Sequence, residues 1–404
     1  MTSELRVDLA SPAFKANPYP VYARLREKEP VCRVVLPDGQ AAWLVTRYDD
    51  VAAALTDGRF AKDPDNALTP EQRRRQPWVP RMFRPLTRNM LDRDPPDHTR
   101  LRALVQRAFT PRLVEGLRER IEALTDELLD AALRRGCVDL IRDYALPVPT
   151  TIIAEMLGVP AEDRRRFQRW SSSIVAADPS GWRMFKAIPS AFAFLRYLRR
   201  LVRTRRTEPR DDLVSALVAA EEAGDSLSED ELLAMIFLLL VAGHETTVNL
   251  IGNGVLALLE HPAELEKLRG NPILIKSAVE ELLRYDGPLE KATERYAREE
   301  ASVAGVPIPR GELVYAVLAS ANRDARQFSN PDSLDLARDP NRHLAFGLGI
   351  HYCLGAPLAR LEGQIAIAAL LARAPGLRLA GARERLRWKR GLVLRGLEAL
   401  PVNL

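Results

Sequence analysis

The strongest chemical setting in the chain surrounds Cys353. It lies in the run Phe346-Gly-Leu-Gly-Ile-His-Tyr-Cys-Leu-Gly-Ala-Pro-Leu-Ala-Arg360, a loop punctuated by Gly347, Gly349 and Gly355. The Ala/Leu-rich stretch behind it, Pro357 to Arg373, reads as a helix. A cysteine at the mouth of a helix meets free backbone N–H groups and the positive end of the helix dipole, and both favour thiolate over thiol. Glycines let the backbone approach a flat ligand closely, and Phe346 offers an aromatic wall beside the sulfur. These are the parts of a thiolate ligand to a haem iron.

A second constellation sits upstream, in Ala242-Gly243-His244-Glu245-Thr246-Thr247. An acid beside an alcohol in an apolar helix is costly unless it has a task. Gly243 leaves room and permits a local kink, since a threonine hydroxyl can bond the carbonyl one turn back. The helix that carries the pair is predicted over 229–260, opened by a capping box in which Ser228 precedes Glu231 by three. Two further pairs share helix faces. His98 and Arg102 are four apart and can grip one carboxylate, on a helix for which Asp97 is the expected N-cap. Glu281 and Arg284 are three apart and can form an ion pair.

Taken together these motifs resemble the bacterial, soluble members of the cytochrome P450 family of haem-thiolate monooxygenases. Phe346, Gly347, Gly349, His351, Cys353, Gly355 and Leu358-Ala359-Arg360 are in register with that family's haem-binding signature. The resemblance covers essentially the whole chain and implies one large, mainly α domain over 1–404. Small β-sheets accompany a long central helix lying over haem b (iron protoporphyrin IX). Residues 1–60 would hold an N-terminal helix and hairpin, 61–90 a substrate-covering loop, 229–260 the central distal helix and 346–373 the cysteine loop with its proximal helix. It further implies that Cys353 is the axial ligand and that Ala242 and Gly243 lie against the haem. Glu245 and Thr246 would relay protons to bound dioxygen. His98, Arg102, Arg295 and His351 would hold the propionates. Glu281 and Arg284, with Arg338 or His343 as third partner, would fix the cysteine loop without doing chemistry. Met82, Phe83, Leu86, Leu239, Leu289, Lys291 and Ala292 would border the substrate, with Trp78 adding to the lid. Lys291 is unexpected there; it either meets an acceptor on the substrate or snorkels to solvent.

The remaining sequence fits this picture. An apolar content of 47%, a charged content of 28% and a net charge of +5 describe an ordinary globular protein. Cys32, Cys137 and Cys353 make no disulfide framework, which points to a reducing compartment, the cytoplasm. No signal peptide or membrane anchor is expected from Met1 to Ala10, and the apolar run Leu232 to Gly243 is too short to span a bilayer. A helix over 21–28, a hairpin over 31–46 turning at Pro37-Asp-Gly39 and a helix over 49–55 open the chain. Successive amphipathic helices follow over 112–225, broken at Gly136, Gly158-Val-Pro160 and Asp178-Pro-Ser-Gly181. The aromatics Trp170, Trp182, Phe185, Phe192, Phe194 and Tyr197, at helical spacing, read as core, while the resemblance implies that their helices form the roof over the substrate channel.

No flavin or iron–sulfur motif is present, so electrons come from a separate ferredoxin or flavodoxin with its NAD(P)H reductase. Arg107, Arg112, Arg342 and Arg360 are candidates for a basic docking face. Three other readings compete. A peroxide-driven peroxygenase usually lacks an acid–alcohol pair such as Glu245-Thr246, a non-catalytic haem sensor has no need of one, and a DNA-binding or scaffold protein finds no helix-turn-helix or repeat here. The substrate is expected to be a hydrophobic small molecule.

Overall fold

The structure, a computed structural model, describes residues 7–75, 89–175, 182–222 and 227–404. The lid candidates Trp78, Met82, Phe83 and Leu86 lie outside that set, as does the break at Asp178 to Gly181. By their internal contacts the residues group into two compact units. One is built from residues 1–70, 118–148 and 246–404, the other from 71–117 and 149–245.

In the first unit the expected hairpin forms. Val31–Val35 and Ala41–Val45 pair antiparallel, Val31 opposite Val45, and Gly39 takes the positive φ of 84° that the turn demands. The hairpin extends into a five-stranded sheet in the order Val31–Val35, Ala41–Val45, Leu313–Ala316, Arg295–Ala297, Phe60–Ala61. The last-but-one strand begins with Arg295, so the sheet places that side chain. The helices Tyr19–Lys28 and Tyr48–Thr56 match their predicted counterparts within a few residues. A three-stranded sheet, Cys137–Asp139, Pro401–Asn403 and Arg378–Leu379, closes the C-terminus.

The main core of this unit gathers on the second half of the central helix, Glu229–Glu260. Val248, Ile251, Val255 and Leu258 pack with Leu282, Ile367 and Leu370, all nearly inaccessible. Each such side chain contributes ~1.5–3 kcal/mol by leaving water. The helix begins with the predicted reciprocal cap. The Glu231 amide donates to Ser228 Oγ at 3.2 Å, and the Ser228 amide donates to Glu231 Oε2 at 2.9 Å. It is helical throughout Ala242–Thr247. The helix is long and apolar enough to cross a membrane by length and composition. However, 67% of its most apolar window is buried inside the protein, as befits a core helix.

In the second unit, helix Asp97–Ala108 carries His98 and Arg102. Asp97 is its first helical residue; Pro96 occupies the cap position, and no side chain caps the turn. Helix Arg164–Val175 packs on helix Trp182–Thr207 through aromatic pairs: Phe167 with Phe194 and Tyr197, and Trp170 with Tyr197. Those aromatics touch one another, the plain-core alternative of the sequence reading. Phe192 does not join them and is 52% exposed.

Candidate active site

The cysteine loop is shaped by its own backbone. The Leu344 carbonyl accepts from the Gly347 amide at 2.8 Å, and the Phe346 carbonyl accepts from the Cys353 amide at 2.9 Å. Gly347 and Gly349 hold φ of 70° and 74°. At Gly349, whose positive φ already disfavours a side chain, a Cβ would lie 3.2 Å from the Leu55 carbonyl oxygen, a tight contact. Helix Ala356–Arg373 starts three residues beyond the sulfur, with Gly355 as its cap residue and Pro357 in its first turn. Among the described residues no backbone carbonyl accepts from the amides of Leu354 or Gly355. Cys353 forms no disulfide and lies half-buried at the positive end of this helix.

Two adjacent glutamates anchor the loop from helix Ile275–Asp286. Glu281, fully buried, receives Arg284 at 2.7 and 2.8 Å and Arg338 at 3.1 and 3.2 Å. Asn341 and the Asp335 amide complete its shell at 3.1 and 3.0 Å. Arg284 reaches on to the carbonyls of Asn322, Pro331 and Ser333, tying the helix to the chain that leads into the loop. Of the two third partners considered, the structure selects Arg338. His343 goes instead to Glu280, whose oxygens also take a two-pronged bond from Arg360 at 2.7 and 2.8 Å. The Arg360 guanidinium lies 4.4 Å from the centre of the Phe346 ring. Burial alone would raise the Glu280 carboxyl, but Arg360 and His343 outweigh it and hold the group down at about 2. Arg360 is therefore occupied inside the fold, while Arg107, Arg112 and Arg342 stay exposed.

On the central helix the acid–alcohol pair stands where the burial pattern breaks. Residues 232–236 and 248–258 are almost wholly buried, whereas Ala242 is exposed and Gly243, Glu245 and Thr246 are half-buried. A helix buried on both sides of an accessible turn offers that turn to a ligand. His244 points the other way, buried, its Nδ1 against the Leu240 carbonyl at 2.8 Å.

Sequence reasoning passed over Glu362, on the helix behind Cys353. It is fully buried and hydrogen-bonded to Thr247; burial pushes its carboxyl up to about 8. Its Oε2 has no partner in the structure among the described residues. An acid within an apolar helical stretch, nine residues past the cysteine, was the available signal.

The other expected residues are placed as follows. His98 is buried and Arg102 half-buried, one turn apart; burial, with Arg102 adding to it, lowers the imidazole below its usual value against an upward pull from Asp94. Arg295 is buried and donates to the Leu55 carbonyl at 3.3 Å, and His351 sits half-buried in the turn Gly349–His351. Leu239 and Ala292 are buried, and Leu289 bridges to Leu394. Lys291 departs from both of its expected roles. Its side chain is wholly buried, its ammonium paired with Glu290 and donating to the Leu392 carbonyl at 3.1 Å. Lys15 and Tyr22 complete that cluster on Glu290. The charge is consumed by the fold, so neither solvent nor a substrate acceptor is left for it.

A thiol at a helix N-terminus, glycines at φ of 70° and 74° in its loop and the buried Arg295 guanidinium are groups that fit haem. When bound, haem supplies the activation of dioxygen, with the thiolate donating electron density to the iron.

The comparisons agree. The family model described as Cytochrome P450 matches residues 9–271 and 272–373. Cytochrome P450 107B1 of Saccharopolyspora erythraea is 49% identical over 398 residues, covering 97% of this chain and 96% of the relative. Cytochrome P450 monooxygenase PikC of Streptomyces venezuelae is 47% identical, covering 96% and 92%. The crystal structure of P450BioI in complex with hexadec-9Z-enoic acid ligated acyl carrier protein superposes with a TM-score of 0.88 at 41% identity, covering 98% of this chain and 100% of that one. On this evidence the chain belongs to the cytochrome P450 family, as a haem-thiolate monooxygenase that acts on hydrophobic substrates with electrons from a redox partner.

Proposed function

We propose that Glu245 and Thr246 handle protons for this monooxygenase, that ferredoxin or flavodoxin with an NAD(P)H reductase supplies its electrons, and that Cys353 is its axial ligand. The observation that carries the proton assignment is the accessible turn at Ala242–Thr246 in an otherwise buried helix. There Thr246 can hold a proton at its hydroxyl beside the ligand face, and the half-buried Glu245 carboxylate can exchange protons with water. His98, Arg102, Arg295 and His351 supply donors suited to the haem propionates, and the Glu281–Arg284–Arg338 cluster holds the loop that presents the sulfur. A cytoplasmic setting fits the three free cysteines.

Thr246→Ala tests the assignment. The variant is expected to keep consuming reductant while releasing hydrogen peroxide in place of product, read as the ratio of product to NAD(P)H oxidised. Full coupling in the variant would remove Thr246 from the proton path. Turnover of the wild type with hydrogen peroxide alone, at the rate seen with reductase, would favour the peroxygenase reading instead.

For delivery of the substrate, we propose attachment to an acidic carrier protein, as for the acyl chain in the P450BioI complex. Arg196, Arg200 and Arg203, exposed on one face of helix Trp182–Thr207, favour this route.

A further inference from the structure

Between Arg164 and Arg206 the chain carries eleven arginines and one lysine against a single acid, Asp178. Some of these charges belong to the fold. Arg205 is buried against Asp212 at 2.5 Å and the Gly158 carbonyl at 2.7 Å, and Arg164 pairs with Glu155 at 2.8 Å. Arg199 lies 3.8 Å from Glu229. Arg196, Arg200 and Arg203 are different. They are exposed, and among the described residues no acid stands within ion-pair distance of them. Spacings of four and three put them on one face of helix Trp182–Thr207, over about 10 Å of helix. Like charges so placed repel, and an acid at any intervening turn would relieve them; none is present. Phe192, 52% exposed, lies one turn before Arg196 on the same face.

The opposite side of the helix is committed to the interior. Phe194, Leu195, Leu198 and Val202 are at most 2% exposed. Over residues 191–203 the helix therefore presents no continuous apolar face to lay on a lipid surface. What it offers is a short, single-sign arginine row with one aromatic at its end, the anatomy of a protein docking site for an acidic partner.

We propose that Phe192, Arg196, Arg200 and Arg203 dock the acidic carrier protein that brings the substrate as a thioester. This rests on the monooxygenase reading and on carrier-borne delivery, and it adds the surface. The row belongs to the unit formed by 71–117 and 149–245, whereas the Cys353 loop, where electrons must arrive, belongs to the other.

The test uses the haem-loaded protein and three probes: an acyl carrier protein bearing a hexadecenoyl thioester, free hexadecenoic acid, and reduced ferredoxin. The variant is Arg196→Glu/Arg200→Glu/Arg203→Glu, with Arg134→Glu/Arg385→Glu/Arg387→Glu as a control for net charge. The triple variant is expected to bind the loaded carrier about tenfold or more weakly at low salt, with the difference shrinking as salt rises. Binding of the free acid, the rate of reduction by ferredoxin and the thermal midpoint should match wild type, and the control should bind the carrier as wild type does. Carrier affinity within about twofold of wild type would overturn the proposal. So would equal losses for carrier and free acid, slowed reduction by ferredoxin, or wild-type carrier affinity that ignores salt. The carbon monoxide spectrum of the same reduced sample reports separately on the monooxygenase reading.

Discussion

Glu281 and Glu362 are both buried carboxyl groups within reach of the cysteine segment, and they are treated in opposite ways. Glu281 is saturated: Arg284, Arg338, Asn341 and the Asp335 amide all donate to it. Glu362 has Thr247 on one side and an oxygen with no partner among the described residues on the other. A buried carboxyl group surrounded by donors serves to fix geometry. An under-coordinated one, kept protonated to about 8 by burial, retains a proton it can give up.

Three variants sharpen or break this contrast. Glu281→Ala should have the largest effect, because it strands Arg284 and Arg338 without a counter-charge. A loss of ~3–5 kcal/mol is expected, read by denaturant unfolding, with poor haem retention. A loss below ~1 kcal/mol would mean that the cluster does not hold the loop.

Glu362→Gln comes next, and its sign is the reverse. A carboxyl raised to about 8 in the folded state destabilises the wild type progressively as pH climbs from its unfolded value to that point. At ~1.4 kcal/mol per pH unit, and after relaxation of the surroundings, the expected gain for the variant at pH 8 is roughly 2–4 kcal/mol. The two proteins should converge near pH 4.5. A parallel pH profile for both would contradict the assignment.

Glu280→Gln should have the smallest effect, about 1–2 kcal/mol at neutral pH, since Glu280 and Arg360 are partly exposed. Held at about 2 in the folded state, Glu280 contributes stability above its unfolded value that is lost as pH falls toward 2. Only the acid limb of the stability profile should therefore flatten in the variant.

The same contrast explains what the sequence disclosed. The cysteine loop, the capping box at Ser228 and Glu231, the hairpin turning at Gly39 and the Glu281–Arg284 pair are local: their partners lie within a few residues. Such features were legible before any coordinates. Contacts across long separations were not. Glu290 and Lys291 are neighbours, but Lys15 reaches Glu290 over 275 residues, so a side chain that read as a substrate contact belongs to a buried ion cluster. His343 and Arg338 were equivalent candidates until the fold gave one to Glu280 and the other to Glu281. Glu362 was passed over because its partner, Thr247, lies on another helix. The division of the chain into two units likewise depends on contacts that no local pattern encodes.

The monooxygenase chemistry depends above all on sulfur binding iron at Cys353. Reduced, haem-loaded protein exposed to carbon monoxide should show the red-shifted Soret absorption of thiolate-bound haem, and Cys353→His should lose that shift while still binding haem. A wild-type spectrum lacking the shift, or a Cys353→His variant that keeps it, would contradict the assignment of the axial ligand.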